Sequence, residues 1–317
     1  MVLLRQGVKP NLHGDAVCRP GASVIAFRQA SGSQRRVREP SLLLLIPAYN
    51  EEHRIEPVLR AYGRYFQENY HGPFQLVVVL NGCRDNTRGV VERVARDYPA
   101  IRWLDFPEPI GKGGALIEGL KLAAQAEAIG YVDADGATPP RAFHDLVRRL
   151  DEADCVIGSR WLPGAVLHQA QSRKRRLASR VFHLIVQAFF WMNIRDTQCG
   201  AKVMRREAVE KVHATLLIAD MAFDINLLYS LKRAGCRILE VPTEWTDQIG
   251  SKVTLFRTSL TMFLSTLRIR LIYSPFYRWL RPLSPLEAWV YKKLRAPRPL
   301  PGPDSRRPPA SPPSPAA

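Results

Sequence analysis

A chain of 317 residues with 46% hydrophobic content can bury one large α/β core or two smaller ones, which excludes a wholly disordered or fibrous polypeptide. Five scattered cysteines without a C-x-x-C pair exclude a zinc-finger or disulfide scaffold and fit a reducing, cytosolic setting. The formal net charge of +17 suits nucleic acid, an anionic membrane surface or phosphorylated substrates without choosing among them, so the placement of the basic residues decides.

Residues 1–40 mix Gly, Ser, Gln and Arg without a sustained period and read as a flexible leader. Its opening apolar stretch is broken by Arg5 and Lys9, too poor for the core of a signal peptide. No later segment reaches the roughly 18 uninterrupted apolar residues of a spanning helix, so the chain is expected to be soluble or surface-bound. Residues 291–317 are proline-rich and lack the apolar mass to offset ordering entropy; they read as a disordered tail. The working region is thereby split into a globular domain over 41–254 and a basic amphipathic helical segment over 255–290.

Within the domain, apolar runs at 42–46, 75–80, 101–106, 128–132 and 155–159 predict strands. Helix-length stretches, Glu52 to Asn69, Asp85 to Asp97 and Gly113 to Gln125, separate the first four. Strand–helix alternation of this kind predicts a largely parallel, three-layer α/β sandwich with ligands outside the carboxyl ends of the strands. The turns after those strands therefore carry the chemistry.

After the first strand come Pro47, Ala48, Tyr49, Asn50 and Glu51, where Pro47 stops the ladder and Asn50 suits a helix N-cap. After the second come Asn81, Gly82 and Cys83, a turn with another possible cap. After the third, Gly111, Lys112, Gly113 and Gly114 open a helix, a setting in which glycines admit a phosphate, helix-end N–H groups favour anions and the lysine adds charge. The run is neither a P-loop nor a dinucleotide fingerprint. After the fourth, Asp133, Ala134 and Asp135 set two carboxylates at one strand end, hard oxygen ligands that suit Mg²⁺ or Mn²⁺ holding a diphosphate.

P-A-Y-N-E, N-G-x-x-D-x-T, G-K-G-x-A-L and D-A-D-G-A-T, in this order and spacing, resemble family 2 glycosyltransferases with the GT-A fold, a Rossmann-like nucleotide-diphospho-sugar transferase architecture. Later segments, VIGSR at 156–160, DTQCGAKVMRREA at 196–208, FDINLLY at 223–229 and VPTEWTDQIGSKV at 241–253, narrow the likeness to dolichyl- or polyprenyl-phosphate sugar transferases, especially the dolichyl-phosphate β-glucosyltransferase branch. The resemblance implies a nucleotide-sugar site formed by Pro47, Ala48, Tyr49, Asn50, Glu51, Asn81, Lys112, Gly113, Asp133, Ala134 and Asp135. It further implies Mg²⁺ or Mn²⁺ on Asp133 and Asp135, with Gln198 or water completing the shell, and an acceptor phosphate held by Arg160, for which an ion pair to a neighbouring acid is the other reading, and by Arg173 or Arg176. Two departures stand out. Leu80 replaces the family's acidic base- or ribose-contacting residue, and Ala137 replaces the third metal ligand of the mannosyl branch, which favours the glucosyl branch.

The basic run from Arg173 leads into apolar residues, Val181 to Ile194, which as a helix would reach about 21 Å, short of a bilayer core of about 30 Å. The segment suits either an interfacial helix on anionic lipid or a buried core helix with a basic entry. A second stretch, Leu255 to Leu280, interleaves Arg257, Arg268, Arg270 and Arg278 with aromatic and aliphatic residues and admits the same two readings.

The expected activity is inverting transfer of a hexose, glucose and a UDP-sugar being favoured, to a polyprenyl or dolichyl phosphate, by a cytoplasmic enzyme held at the inner face of the membrane. A phosphate acceptor is already anionic and needs no strong base. Asp133, Asp135 and Lys112 would serve catalysis at the leaving group, and Asp196, Asp220 and Asp224 are candidates for positioning or proton handling. The alternative is a family 2 enzyme acting on a glycan or lipid hydroxyl in cell-envelope polysaccharide synthesis, for which one of those aspartates must act as base. No nucleic-acid motif accompanies the basic residues, so nucleic acid is not an expected partner.

Overall fold

In a computed structural model, residues 38–168, 173–246 and 255–274, with Trp289 and Lys293, are described. Residues 1–37 of the expected leader and, apart from Lys293, the Pro-rich tail lie outside the described residues, as do the side chains of Arg257 and Arg278.

The first strand, β1 (Leu42–Ala48), determines the layering, because its alternate residues enter two different cores. Leu42, Leu44, Ile46 and Ala48 pack against α1 (Ile55–Asn69), α2 (Thr87–Asp97) and α4 (Pro140–Arg148). Leu43 and Leu45 pack on the other face, against α3 (Gly111–Leu120), α6 (Arg206–Val212) and α7 (Phe223–Arg233). Two further helices, α5 (Arg173–Phe190) and α8 (Leu255–Ile272), contribute Val186, Phe190 and Ile269 to that second core. The result is three layers.

The sheet contains β2 (Phe74–Asn81), β3 (Ile101–Phe106), β4 (Ala128–Tyr131), β5 (Cys155–Ser159), β7 (Lys202–Arg205) and β8 (Ile238–Pro242) in the order β3-β2-β1-β4-β7-β5-β8. All pairings are parallel except those of β7, which runs antiparallel between β4 and β5. A small ribbon pairs β6 (Val166–Leu167) with β9 (Glu244–Trp245).

The five strands expected from apolar runs are present, but β7 and β8 come from segments whose pattern gave no comparable signal. Lys202 interrupts the apolar period of β7, and it is fully buried. The helical stretch after Gly113 also divides: α3 ends at Leu120 and a 3₁₀ turn, Lys121–Gln125, completes it.

Candidate active site

The site lies where β1, β2 and β4 end and α3 begins. Gly113 lets α3 seat against the chain beyond α6, since a Cβ there would fall 2.2 Å from the Ile218 carbonyl oxygen. The Asn81 side-chain carbonyl accepts hydrogen bonds from the Ile110 and Gly111 N–H groups at 2.7 and 3.1 Å, so the end of β2 holds the start of α3. Asn81, expected at the nucleotide, thus fixes the turn that carries Lys112.

Lys112 projects from that turn onto the Asp pair. Its Nζ lies 2.6 Å from Asp133 Oδ1 and 3.7 Å from Asp224 Oδ2. Burial works against its charge, yet these two carboxylates hold its pKa above the ordinary lysine value. The antiparallel register sets Tyr131 beside Lys202, and both reach Asp224: the tyrosine hydroxyl donates to Oδ1, and Lys202 Nζ donates to the same oxygen at 2.5 Å. Burial alone would raise the Asp224 carboxyl, but Lys202 and Lys112 hold it below its usual range.

Asp135 differs from its neighbour in the pair. Its Oδ1 accepts the Ala137 N–H at 3.0 Å, and burial, reinforced by the charge of Asp133, raises its pKa. Two hard carboxylates that repel each other and share a strand end form a donor set suited to a divalent cation. Among the described residues no group of three or more His, Cys, Asp or Glu side chains could hold a metal. Ala137 is buried beside the pair and provides no ligand. Gly200 was not anticipated: a Cβ there would sit 2.1 Å from Asp133 Oδ2, so the loop before β7 presses its backbone against that carboxylate.

The P-A-Y-N-E loop borders the pair. Asn50 is not the cap of α1, which starts at Ile55 after Arg54. Asn50 instead adopts a left-handed φ of 54°, and its Oδ1 accepts the Arg84 N–H at 2.8 Å, tying the first loop to the second. Burial raises the pKa of Glu51 while an ion pair with Arg54 works against it, and the Glu51 N–H donates to Thr87. Tyr49 is half-exposed, whereas Ala48 and Ala134 are core residues.

Arg160 and Asp196 lie on the other flank. The Arg160 fork donates to Asp196 Oδ2 and Oδ1 at 2.7 and 2.8 Å, its backbone N–H donates at 2.9 Å, and the guanidinium stacks 4.9 Å from the Trp245 ring centre. Burial would raise Asp196, but the Arg160 bonds hold it low. A carboxylate so paired is a poor proton acceptor, and the cationic partners of Asp224 leave it equally unsuited. Burial raises Asp220, which is engaged by Ser265 and by the Ala222 N–H.

Arg160, Trp161, Ser179, His183, Arg195 and Gln198 line a small cleft open to solvent. Gln198, expected on the metal, belongs to this cleft, and its N–H donates to Asp196 Oδ1 at 3.3 Å. Arg173 and Arg176 are in the first turn of α5, but their side chains lie outside the described set. Helix α5 also ends sooner than the apolar run suggests. Trp191 adopts a φ of 50°, and Met192 and Ile194 turn inward to the core. Among their described residues, α5 and α8 each place one face in the core and leave another exposed.

Residues 44–213, more than half of the chain, match the glycosyl transferase family 2 model. Glycosyltransferase AglD of Haloferax volcanii is 33% identical over 228 residues, covering 71% of this chain and 36% of AglD, so the chain spans about a third of that relative. Dolichyl-phosphate beta-glucosyltransferase of Dictyostelium discoideum is 32% identical over 244 residues, covering 73% of this chain and 74% of the relative. The fold is shared with glucosyl-3-phosphoglycerate synthase from Mycobacterium tuberculosis, crystallised with Mn²⁺, UDP and glucosyl-3-phosphoglycerate; the TM-score is 0.53 at 20% identity, covering 73% of this chain and 80% of that one. With its strand-end motifs gathered at one edge of a GT-A sheet, the chain belongs to glycosyl transferase family 2.

Proposed function

We propose that the protein transfers glucose from UDP-glucose to a polyprenyl or dolichyl phosphate, with inversion, at an anionic membrane surface. The observation that carries this reading is the convergence of Lys112, Asp133 and Asp135 at one strand end, in a chain about 30% identical to dolichyl-phosphate beta-glucosyltransferases over some 70% of its length. Asp133 and Asp135 would hold Mg²⁺ or Mn²⁺, with Gln198 or water completing the shell. Such an ion supplies positive charge to the departing diphosphate. Lys112 adds a second positive charge there, and Tyr49, Asn50 and Glu51 border the nucleoside.

The carboxylates around the site favour a phosphate acceptor over a hydroxyl. Both oxygens of Asp220 already accept hydrogen bonds, from the Ala222 N–H and the Ser265 hydroxyl. Asp196 and Asp224 are held low by cationic partners, so neither of these two is poised as a general base. A phosphate oxygen attacks the anomeric carbon without one. The cleft beside Arg160, with exposed Arg195 and with His183, is the basic region available to that phosphate, and the Arg173 and Arg176 positions begin the helix lining it.

Helices α5 and α8 supply the membrane-facing surface in this reading. They meet through Phe189 and Phe263, whose ring centres are 6.4 Å apart. Leu260, Phe263, Leu267 and Leu271 form an exposed stripe at helical spacing on α8, and Val181 and Leu184 are exposed on α5. Arg180 and Arg270 are exposed on the same two helices, as anionic lipid would require. No helix among the described residues is long and apolar enough to cross a membrane.

Incubating the protein with membranes and labelled UDP- and GDP-sugars tests the proposal. Acid-labile label in the lipid phase is expected from UDP-glucose, and absence of lipid-phase label from every donor refutes it.

A further inference from the structure

Asp133, Lys112, Asp224 and Lys202 form a row of alternating charge that ends at the metal-suited pair. The separations along the row are 2.6 Å, 3.7 Å and 2.5 Å. Lys202 is fully buried, and its ammonium also donates to the Cys199 carbonyl, so the inner end of the row is anchored. Lys112 alone stands between two carboxylates, hydrogen-bonded to the outer and within reach of the inner. The outer contact uses Asp133 Oδ1, an oxygen that a cation on the Asp pair would also seek.

We propose that Lys112 is an exchangeable counter-ion: it neutralises Asp133 until the donor arrives, then gives up that oxygen to the metal and turns its charge to the diphosphate, with Asp224 as its second anchor. This inference rests on the donor reading above. Its physical content is a competition. Metal binding to the free protein must displace an ammonium from Asp133, whereas metal binding with a nucleoside diphosphate gives that ammonium a new anionic partner. Lys112 therefore opposes the metal alone and favours the metal–diphosphate pair, which makes the two ligands bind cooperatively. Asp224, fixed by Lys202 and Tyr131, keeps the displaced lysine from being stranded.

Two binding measurements on the whole protein read opposite signs from one substitution. Mn²⁺ affinity is followed by loss of the free-ion electron paramagnetic resonance signal, first without nucleotide; UDP affinity is then followed calorimetrically at saturating Mn²⁺. Lys112→Met is expected to bind Mn²⁺ alone about tenfold more tightly than wild type and UDP about tenfold more weakly, each being a modest part of one close charge–charge interaction. Lys112→Arg, which keeps the charge, is expected to stay within about threefold of wild type for Mn²⁺ alone, and the shared thermal midpoint of the variants reports that they are folded. Unchanged or weaker Mn²⁺ binding by Lys112→Met overturns the proposal, as does absence of Mn²⁺ binding by both proteins. If Lys112→Met gains Mn²⁺ affinity but wild type fails to bind UDP with Mn²⁺, the counter-ion role on Asp133 holds, and the donor reading and the exchange both fall.

Discussion

Arg160 and Asp196 are joined by two side-chain hydrogen bonds and one from the Arg160 backbone, with the carboxylate almost wholly buried. The pair links the end of β5 to the loop before β7, so it braces the cleft in which the acceptor phosphate is proposed to sit. Its geometry also sets a pH dependence. The folded-state pKa of Asp196 lies below its ordinary value, so its contribution is complete above that ordinary value and is lost as pH falls through the folded one.

Asp196→Asn is therefore expected to destabilise the protein by about 3–5 kcal/mol at neutral pH, the cost of leaving one member of a buried ion pair. Urea unfolding across a pH series checks this. The gap between wild type and variant should close in acid, where wild-type Asp196 also loses its charge; a gap that stays constant would show that the ion pair is not its source.

Gly200→Ala places a methyl group where Asp133 Oδ2 now lies, 2.1 Å from the built position. The obstructed atom ends a side chain that can rotate away, so the fold is expected to survive while the Asp pair loses its alignment. Transfer activity should fall by about 100-fold or more, as misplacement near 1 Å can cost that much. Kinetics beside thermal unfolding would check it; near-normal transfer would show that Asp133 does not need its present orientation.

Lys202→Met removes the innermost cation and leaves the buried Asp224 with the Tyr131 hydroxyl and the more distant Lys112. A loss of about 3–5 kcal/mol is expected. Adding Asp224→Leu should restore part of it by removing the stranded charge, a coupling that a double-mutant cycle measures directly. Additive losses would contradict the proposed charge row.

Burial pushes the Cys155 and Cys199 thiols up to about 12, so at pH 8 both should stay unmodified in the native protein. Mass spectrometry after brief alkylation, with and without denaturant, checks this. Native labelling at either position would show that its surroundings open more readily than the packing implies.

The strands and their terminal motifs were legible because apolar runs and turn residues are local signals. β1 reads as an apolar run, and Asp133 and Asp135 follow another. Lys202 was not legible as a site residue: a lysine inside a four-residue strand looks like a solvent position until pairing sets it beside Tyr131 and over Asp224. Gly200 was hidden for the same reason, because its role depends on contact with a carboxylate 67 positions earlier. Asn50 shows the converse error. Its residue type suits an N-cap, but the chain uses its side chain to bind the second loop while α1 begins farther on. The arginines were candidate phosphate ligands by type, and the other reading of Arg160, an ion pair to a neighbouring acid, is the one its contacts display, although no sequence pattern could name Asp196 as the partner.

In this reading the acceptor nucleophile is a phosphate. Purified protein, UDP-glucose and Mn²⁺ supplied with a defined polyprenyl phosphate or with the matching polyprenol separate the two acceptor classes, and NMR of the product reads the anomeric configuration. A β-linked glucosyl phosphate is expected from the first lipid and no product from the second, whereas transfer to the polyprenol but not to its phosphate would overturn the phosphate-acceptor reading.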